Sequence, residues 1–314
     1  MALRLIINAD DFGLTPGVNR AIAELHQANV LTSATLMATG AAFDDAVAIA
    51  HANPTLGVGC HIVLVDGIPV LPSDHIPTLV SGDGKTFRPS LSDFVKALYS
   101  GSIREEEIER EAIAQIENLQ RAGIRITHLD THKHTHLFPA VTRPLLRAAE
   151  RCSIRALRNP FEPKWNLALG HGSTLRRLQV KILSRLKPHF EQQPAIRARK
   201  VLTTEGTLGI TSTGQLDASA LRDILHALPA HGTFELCCHP GYNDSALAQV
   251  TTRLRRERDI ERNALLAEVP ATALHPNAPQ LIHYGNLALG SIDEESVPSN
   301  AALRDVAHSP QRVF

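Results

Sequence analysis

The sequence has only four cysteines, no excess of charge of either sign and no long hydrophobic run. Its 32 basic and 32 acidic residues balance, so its charge gives no argument for a nucleic-acid partner. No apolar run is long enough to span a membrane, and the N-terminus lacks the regions of a secretory signal, so we do not expect secretion. The cysteines show no CxxC spacing, and Cys237 and Cys238 lie in an apolar run. This pattern is typical of reduced, buried thiols and predicts a cytoplasmic protein.

Short apolar segments alternate with helical patterns along most of the chain. After the first apolar segment, Thr15 stands in the N-cap position of a helical pattern and Pro16 in its first turn. Near-continuous apolar strands separated by helices predict an α/β fold with a parallel sheet. This number of units within about 285 residues favours a TIM-like (β/α) barrel, either regular or distorted. The predicted strands cover residues 3–8, 31–38, 56–65, 126–130, 154–158, 200–203, 233–238 and 281–284.

The domain organisation follows from where this alternation stops. We expect residues 1–290 to form a single (β/α)-barrel domain, because no internal repeat and no linker interrupts the pattern. Residues 66–89 are rich in Pro, Gly and Asp, and they predict an excursion over the sheet. Residues 291–314 are polar and aperiodic, so we expect them to form a C-terminal tail.

Ionisable side chains gather at the predicted ends of the strands. Asp10 and Asp11 follow the first strand, His61 lies in the third, and His239 follows the strand at residues 233–238. Each has an ordinary explanation when taken singly, such as a turn or helix cap for the aspartates and a core histidine for the imidazoles. However, parallel α/β proteins have their sites at the carboxyl ends of the strands. The pattern therefore predicts a functional site there.

Three alternating histidines, His132, His134 and His136, strengthen the prediction of a site. In an extended chain they would share one face at a spacing of about 6.8 Å, at which two imidazoles can reach one metal ion. Three such histidines without a ligand would repel one another when protonated and lose hydration when neutral. With Asp11 and His61 they favour a mixed carboxylate and imidazole site for a divalent metal. The spacing leaves open whether His132 or His134 is the ligand.

Several motifs together resemble the YdjC/ChbG-like carbohydrate deacetylases over about residues 3–285. The motifs are NADDFGLTPGVNRAI, LTSATLMATGAAFDDAV, GCHIVL, THLDTHKHTHLFP and CHPGY. The resemblance implies a TIM-like barrel and removal of the acetyl group from N-acetylated sugars such as chito-oligosaccharides. It also implies one divalent metal, usually Mg²⁺, although a His-rich shell suits Zn²⁺ or another transition ion as well.

The resemblance also implies roles for individual residues. It identifies Asp11, His61 and His132 as the metal ligands and Asp10 as the catalytic base. His239 matches the histidine of the CHPG motif and would protonate the departing amine when it is charged. A metal held by these three side chains keeps open positions for water and the acetyl oxygen.

The substrate is less sharply defined. The segment VDGIPVLPSDHIPTLV is similar to that of the hopanoid-biosynthesis-associated, HpnK-like subgroup, which implies a lipid-linked N-acetylglucosamine. That subgroup more often has Asn-Ala where this chain has Asp130 and Thr131. We expect Arg158, His134 and Tyr242 to bind substrate; the alternatives are a paired structural arginine and ordinary aromatic packing.

A basic helix over residues 175–186 suggests a further partner. It could lie on a membrane surface and reach a glycolipid, or it could pack on the barrel with a solvated basic face. A homodimer is a further expectation. Two other functions stay open: a different metal hydrolase on the same barrel, such as an amidohydrolase or phosphoesterase, and a non-catalytic sugar-binding barrel. The apolar stripe consists of Leu175, Leu178, Ile182 and Leu186, and the basic residues are Arg176, Arg177, Lys181, Arg185 and Lys187.

Overall fold

The structure of the protein is a computed structural model that describes residues 2–291. Apart from Ser291, the predicted tail at residues 291–314 lies outside the described residues. Seven strands were found in the described part: β1 (Leu3–Phe12), β2 (Ser33–Leu36), β3 (Gly57–Ile62), β4 (Leu129–Thr131), β5 (Thr207–Leu208), β6 (Gly232–Cys238) and β7 (Gln280–Leu281).

The strands form one parallel sheet that curls into a half-barrel flanked by helices. The order of the strands is β4-β3-β2-β1-β6-β5, and β7 pairs with the beginning of β1. The long first strand therefore lies at the centre of the sheet, where both of its edges are occupied. This architecture confirms the predicted α/β fold with a distorted TIM-like barrel.

The helices follow the strands along the chain. Those of the described residues are α1 (Pro16–Gln27), α2 (Phe43–Ala52), α3 (Leu91–Tyr99), α4 (Glu105–Arg121), α5 (Pro139–Arg151), α6 (Lys164–Ala168), α7 (Thr174–Leu183), α8 (Lys187–Glu191), α9 (Pro194–Arg197), α10 (Ala218–His226), α11 (Ser245–Ala248) and α12 (Arg256–Ala273). Short 3₁₀ turns cover Ser73–His75, His132–Leu137, Ser184–Leu186 and Tyr284–Ser291. Within residues 2–291, every helix is too short or too polar to cross a lipid bilayer.

Helix α1 shows how the local sequence determines where a helix begins and which of its faces is buried. The hydroxyl of Thr15 accepts a hydrogen bond from the backbone N–H of Val18, and Pro16 occupies the first turn, as predicted. Val18, Ile22 and Leu25 recur at helical spacing and are fully buried against the sheet. Burial of each such side chain contributes about 1.5–3 kcal/mol, so packing adds to the effect of the cap.

Two of the predicted strands are present only as single bridges. Residues 154–158 meet β4 at the pair Leu129 and Leu157, and Ala156 in turn pairs with Leu202. These bridges continue the sheet beyond β4, so the prediction placed the segments correctly but overestimated their regularity. After β6 the chain forms two separate helices, α11 and α12, with irregular residues between them. Helix α3 was not predicted.

Buried carboxylates of α4 bind the backbone of residues 66–89, the segment that the sequence predicts to cross over the sheet. The carboxylate of Glu111 accepts hydrogen bonds from the backbone N–H groups of Val70 and Leu71, at 2.8 and 3.0 Å. Glu107 accepts from the backbone and the hydroxyl of Thr78, both at 2.7 Å. These bonds satisfy irregular backbone that would otherwise have to be solvated. Residues 66–89 are therefore an ordered segment that packs against the barrel.

One large hydrophobic cluster connects most of the elements. Its buried members extend from Leu5 in β1 to Val269 in α12 and include side chains from both ends of the sheet. A small second cluster includes Ile6 of β1 and Ile282. The one large core supports the expectation that residues 1–290 form one domain, which stays a prediction.

Candidate functional site

The end of β1 directs two adjacent carboxylates to different partners. β1 was predicted to end at residue 8, but it continues through Asp10 and Asp11 to Phe12. Its register with β2 shifts between Ala9 and Phe12, and Asp11 has a positive φ of 65°. Positive φ is uncommon for a residue other than glycine and marks a strained position. This irregularity at the end of β1 therefore explains how the neighbouring side chains of Asp10 and Asp11 point to different partners.

Asp11 lies with His61 and His132, as predicted. One oxygen of Asp11, Oδ1, is 3.6 Å from Nε2 of His61 and 3.5 Å from Nδ1 of His132. One ligand atom from each of the three side chains lies within 4.8 Å of the others. The second oxygen, Oδ2, accepts a hydrogen bond of 2.6 Å from the buried guanidinium of Arg258. One carboxylate oxygen and two imidazole nitrogens therefore converge, and this donor set fits a divalent metal.

A carboxylate behind His61 fixes the orientation of its ring. Nδ1 of His61 is 2.8 Å from Oδ1 of Asp130, which leaves Nε2 directed towards Asp11. Metal-binding histidines commonly have such a partner on the second nitrogen. Burial alone would lower the pKa of His61, but Asp130 outweighs it and, together with Asp10 and Asp11, raises that pKa to about 9.

Asp10 also lies close to His61 and Asp130, with one polar atom of each within 4.8 Å of the others, but its shortest hydrogen bonds come from a different partner. Its two oxygens accept hydrogen bonds from Nη1 and Nη2 of Arg158, at 2.9 and 2.6 Å. Nε2 of His239 lies 3.8 Å from Oδ2 of Asp10. Burial alone would raise the pKa of Asp10, but the guanidinium of Arg158 holds it well below its usual range. Asp10 is therefore an ionised carboxylate, fixed in place next to an imidazole.

Arg158 is fully buried and contacts three carboxylates. Besides Asp10, it contacts Oδ2 of Asp130 at 2.7 Å and Oε1 of Glu235 at 2.6 Å. Glu235 also accepts a hydrogen bond from the hydroxyl of Tyr284. With a guanidinium that is 0% exposed, this arrangement does not favour the predicted contact with substrate. Arg158 instead connects Asp10 to Asp130, the partner of His61.

The histidine-rich segment is not extended, so the prediction that its three histidines share one face is wrong. β4 ends at Thr131, and a 3₁₀ turn follows in which Lys133 and His134 have φ values of 55° and 52°. As a result, the three rings separate: only His132 reaches Asp11. His136 is buried, with Nδ1 at 2.7 Å from the hydroxyl of Thr131, and has a structural role.

His134 occupies a third position, close to Asp10. One of its nitrogens, an oxygen of Asp10 and the sulfur of Cys237 lie within 4.8 Å of one another. Burial, followed by the charge of Arg158, lowers the pKa of His134 well below its usual value, so the ring is neutral. Nδ1 of His134 has no hydrogen-bond partner within residues 2–291. A buried donor or acceptor of this kind is available to a substrate, as the sequence predicts for His134.

His239 and Tyr242 follow β6 but lie in different surroundings. His239 is flanked by Asp10 and by Glu261, whose Oε2 is 3.9 Å from Nδ1. The ring of Tyr242 is covered by the guanidinium of Arg262, 3.9 Å from its centroid, and by a second one from α1. Its hydroxyl donates to a glutamate of α1. These contacts occupy both the ring and the hydroxyl of Tyr242, and its role in binding sugar stays a prediction.

Sequence reasoning missed three buried partners of the site: Glu235, Arg258 and Glu261. Glu235 was detectable, because it is a single acidic residue within the apolar strand β6. Arg258 and Glu261 lie on α12, where charged residues are frequent, and their sequence gives no sign of their burial. Their partners are distant along the chain, as for Arg258 and Asp11, which are 247 residues apart.

The fold and the site define a parallel α/β protein with a carboxylate and imidazole centre at the carboxyl ends of its strands. The chain belongs to the YdjC-like family, whose model matches residues 4–275. This membership confirms the family that the motifs indicate.

Relatives and a solved structure align over almost the whole chain. A carbohydrate deacetylase of Brevibacillus brevis is 33% identical over 285 residues, which cover 91% of this chain and 100% of the relative. A carbohydrate deacetylase of Geobacillus stearothermophilus is 42% identical over 280 residues, which cover 89% and 96% of the two chains. The crystal structure of a candidate cellobiose-phosphate cleavage protein of Enterococcus faecalis V583 has a TM-score of 0.71 at 26% identity, covering 91% and 99%.

Proposed function

We propose that this protein is a hydrolase that removes the acetyl group from an N-acetylated sugar and releases acetate. The observation that carries the proposal is the position of Asp10, an ionised buried carboxylate beside the cluster of Asp11, His61 and His132. Relatives that are named carbohydrate deacetylases and align over nearly the whole chain support the same chemistry.

Asp11, His61 and His132 would hold one divalent metal ion. When bound, such an ion polarises the acetyl carbonyl and lowers the pKa of water. Two imidazoles and one carboxylate suit Zn²⁺ or another transition ion, whereas Mg²⁺ prefers a shell of oxygen atoms. The family resemblance favours Mg²⁺, so the native ion is left to experiment.

The protein's own groups supply the proton transfers. Asp10 accepts a proton from the attacking water, because Arg158 keeps its carboxylate ionised and correctly oriented. The oxygen of that water bonds to the acetyl carbon, and the C–N bond then breaks. The departing amine takes a proton from His239, whose Nε2 is 3.8 Å from Asp10 and which must be charged for this step. The products are acetate and a free amino sugar.

The experiment is an assay of acetate release from a panel of acceptors. The protein would be stripped of metal, reloaded with Mg²⁺ or Zn²⁺, and given N-acetylated chitobiose, longer chito-oligosaccharides and a lipid-linked N-acetylglucosamine. Phosphate esters and simple amides serve as controls for other metal hydrolases. Acetate release that requires a metal supports the proposal; hydrolysis confined to the controls would replace it, and binding of sugar without turnover would indicate a non-catalytic barrel.

Three finer proposals accompany this function. A cytoplasmic location is supported by four free cysteines, of which three are buried. A lipid-linked acceptor is supported by the motif similar to the HpnK-like subgroup, and the panel above separates it from soluble sugars. The expected homodimer is testable by sedimentation velocity of the full chain.

A further inference from the structure

Helix α7 carries an exposed apolar stripe next to a basic one. Three of the four residues of the predicted apolar stripe do not pack on the barrel, contrary to the alternative of a packed helix, because Leu175, Leu178 and Ile182 are 67%, 54% and 49% exposed. The fourth, Leu186, is partly buried against the core. The side chain that α7 buries is instead Val180. Arg176 also turns inward, and its Nε donates to the carbonyl of Ile210 at 3.3 Å.

The surroundings of α7 are strongly basic in a chain without net charge. Residues 163–190 contain six lysines and arginines and no aspartate or glutamate. Three of the basic residues, Arg177, Lys181 and Arg185, are exposed on and directly after α7. We call these three residues and the three exposed aliphatic residues the α7 face. An exposed helix with adjacent aliphatic and basic stripes is typical of a helix that lies in a lipid interface.

The size of the apolar stripe argues against a second copy as its partner. Three half-exposed aliphatic side chains offer roughly 300 Å², whereas a standard interface buries roughly 800 Å² on each partner. The excess of positive charge on the same face would also repel another copy. Shallow insertion of three aliphatic side chains, combined with attraction to anionic lipid headgroups, needs no such area.

We propose that the α7 face is a docking surface for a membrane that carries anionic lipid. Arg176 anchors the beginning of α7 to Ile210, which follows the carboxyl end of β5. The docking surface therefore begins at the edge of the sheet that carries the candidate site. When the protein is bound to a membrane, that edge of the sheet would face the lipid, and a glycolipid substrate could reach the candidate site there. The docking itself does not depend on the proposed deacetylation.

The test is flotation of the full chain with vesicles of phosphatidylcholine alone or with about 30 mol% phosphatidylglycerol. We expect binding to the anionic vesicles, loss of binding without phosphatidylglycerol, and weakening as salt rises from about 0.05 to 0.5 M. Each removed basic charge should weaken vesicle binding roughly fivefold. The double variant Arg177→Glu with Lys181→Glu should therefore weaken vesicle binding by about 25-fold or more. Leu178→Ser with Ile182→Ser should also weaken it, because the aliphatic contribution is lost.

Matched controls separate the α7 face from general surface effects. Arg121→Glu with Arg125→Glu makes the same change of charge at exposed positions elsewhere, and Leu274→Ser removes an aliphatic side chain that is 87% exposed. Both should bind as the parent does. No sugar is present in the assay, so its result is independent of the proposed function. The proposal fails if the parent does not bind anionic vesicles at low salt, or if the α7 variants bind as the controls do. Self-association of the parent that Leu178→Ser with Ile182→Ser abolishes, without vesicle binding, would assign the face to a second copy.

Discussion

Replacement of Asp10 by asparagine should remove the base while leaving the metal cluster intact. Asp10 faces Arg158 and His239, whereas the cluster is built from Asp11, His61 of β3 and His132 of the turn after β4. Asparagine has almost the same shape, so it keeps one acceptor for the guanidinium of Arg158. It cannot take a proton from water, because an amide oxygen is a very weak base.

The expected loss can be estimated from the contacts of Asp10. General base catalysis contributes about 10²–10⁴-fold, which corresponds to roughly 2.7–5.4 kcal/mol in activation free energy. The loss should appear in kcat more than in KM, since Asp10 acts in the transition state. Arg158 loses one charged hydrogen bond but keeps Asp130 and Glu235, so the free energy of unfolding should fall by about 1.5–3 kcal/mol.

Glu235→Gln is the matched control for Asp10→Asn. It also removes one charged partner of Arg158, and its stability loss should be similar, but Glu235 lies within β6 and its side chain bonds to Arg158, Thr207 and Tyr284. Acetate-release kinetics, metal content and urea unfolding would be measured on the same preparations of both variants. We expect less than tenfold loss of kcat for Glu235→Gln. A near-normal kcat for Asp10→Asn with metal retained would refute Asp10 as the base; equal losses in both variants would assign the effect to Arg158.

Three further predictions concern the metal cluster and the core. Asp11→Asn should retain the fold but lose most of its metal, as measured by elemental analysis; full occupancy would contradict the ligand assignment. Because the pKa of His61 is raised to about 9, a proton must leave its ring before metal binds. The metal affinity should therefore rise by up to tenfold per pH unit from about pH 7 to 9 in calorimetric titrations. A flat pH profile would argue against His61 as a ligand. A Cβ at Gly59 would lie 2.3 Å from the ring of His128, so Gly59→Ala should cost about 1–3 kcal/mol in urea unfolding. Gly82→Ala has open space and is the control; equal losses would contradict the packing argument.

Local chemistry made part of the fold predictable from sequence. The cap at Thr15 and the apolar spacing of α1 act within a few residues, so sequence alone locates that helix. The region in which β1 and β6 end was also recognisable, because Asp10, Asp11 and His239 interrupt apolar runs there, although β1 continues to Phe12. A parallel sheet brings such ends together, and for this reason the sequence could predict their proximity.

The rest of the site depends on contacts between distant parts of the chain. The turn after β4 is set by tertiary contacts, since Lys133 in the left-handed region reaches Asp66 with its ammonium group at 2.6 Å. The alternation of histidines in the sequence gives no sign of that turn. For this reason the prediction of an extended segment was wrong. Arg258 likewise reaches Asp11 only because α12 packs against α1, which follows β1 in the chain. Periodicity cannot report a pair of this kind.

Charge balance explains why the two neighbouring aspartates can do different work. Four buried carboxylates share two guanidinium groups: Asp10, Asp11, Asp130 and Glu235 contact Arg158 or Arg258. An excess of buried negative charge is costly unless a cation compensates it. In the metal-free protein, protonation of His61 supplies part of that compensation, which is why its pKa rises. A divalent cation beside Asp11 would supply more and release the proton, while Arg158 keeps Asp10 ionised. In the proposed mechanism Asp11, paired with Arg258, would bind the metal, and Asp10, kept ionised by Arg158, would accept the proton.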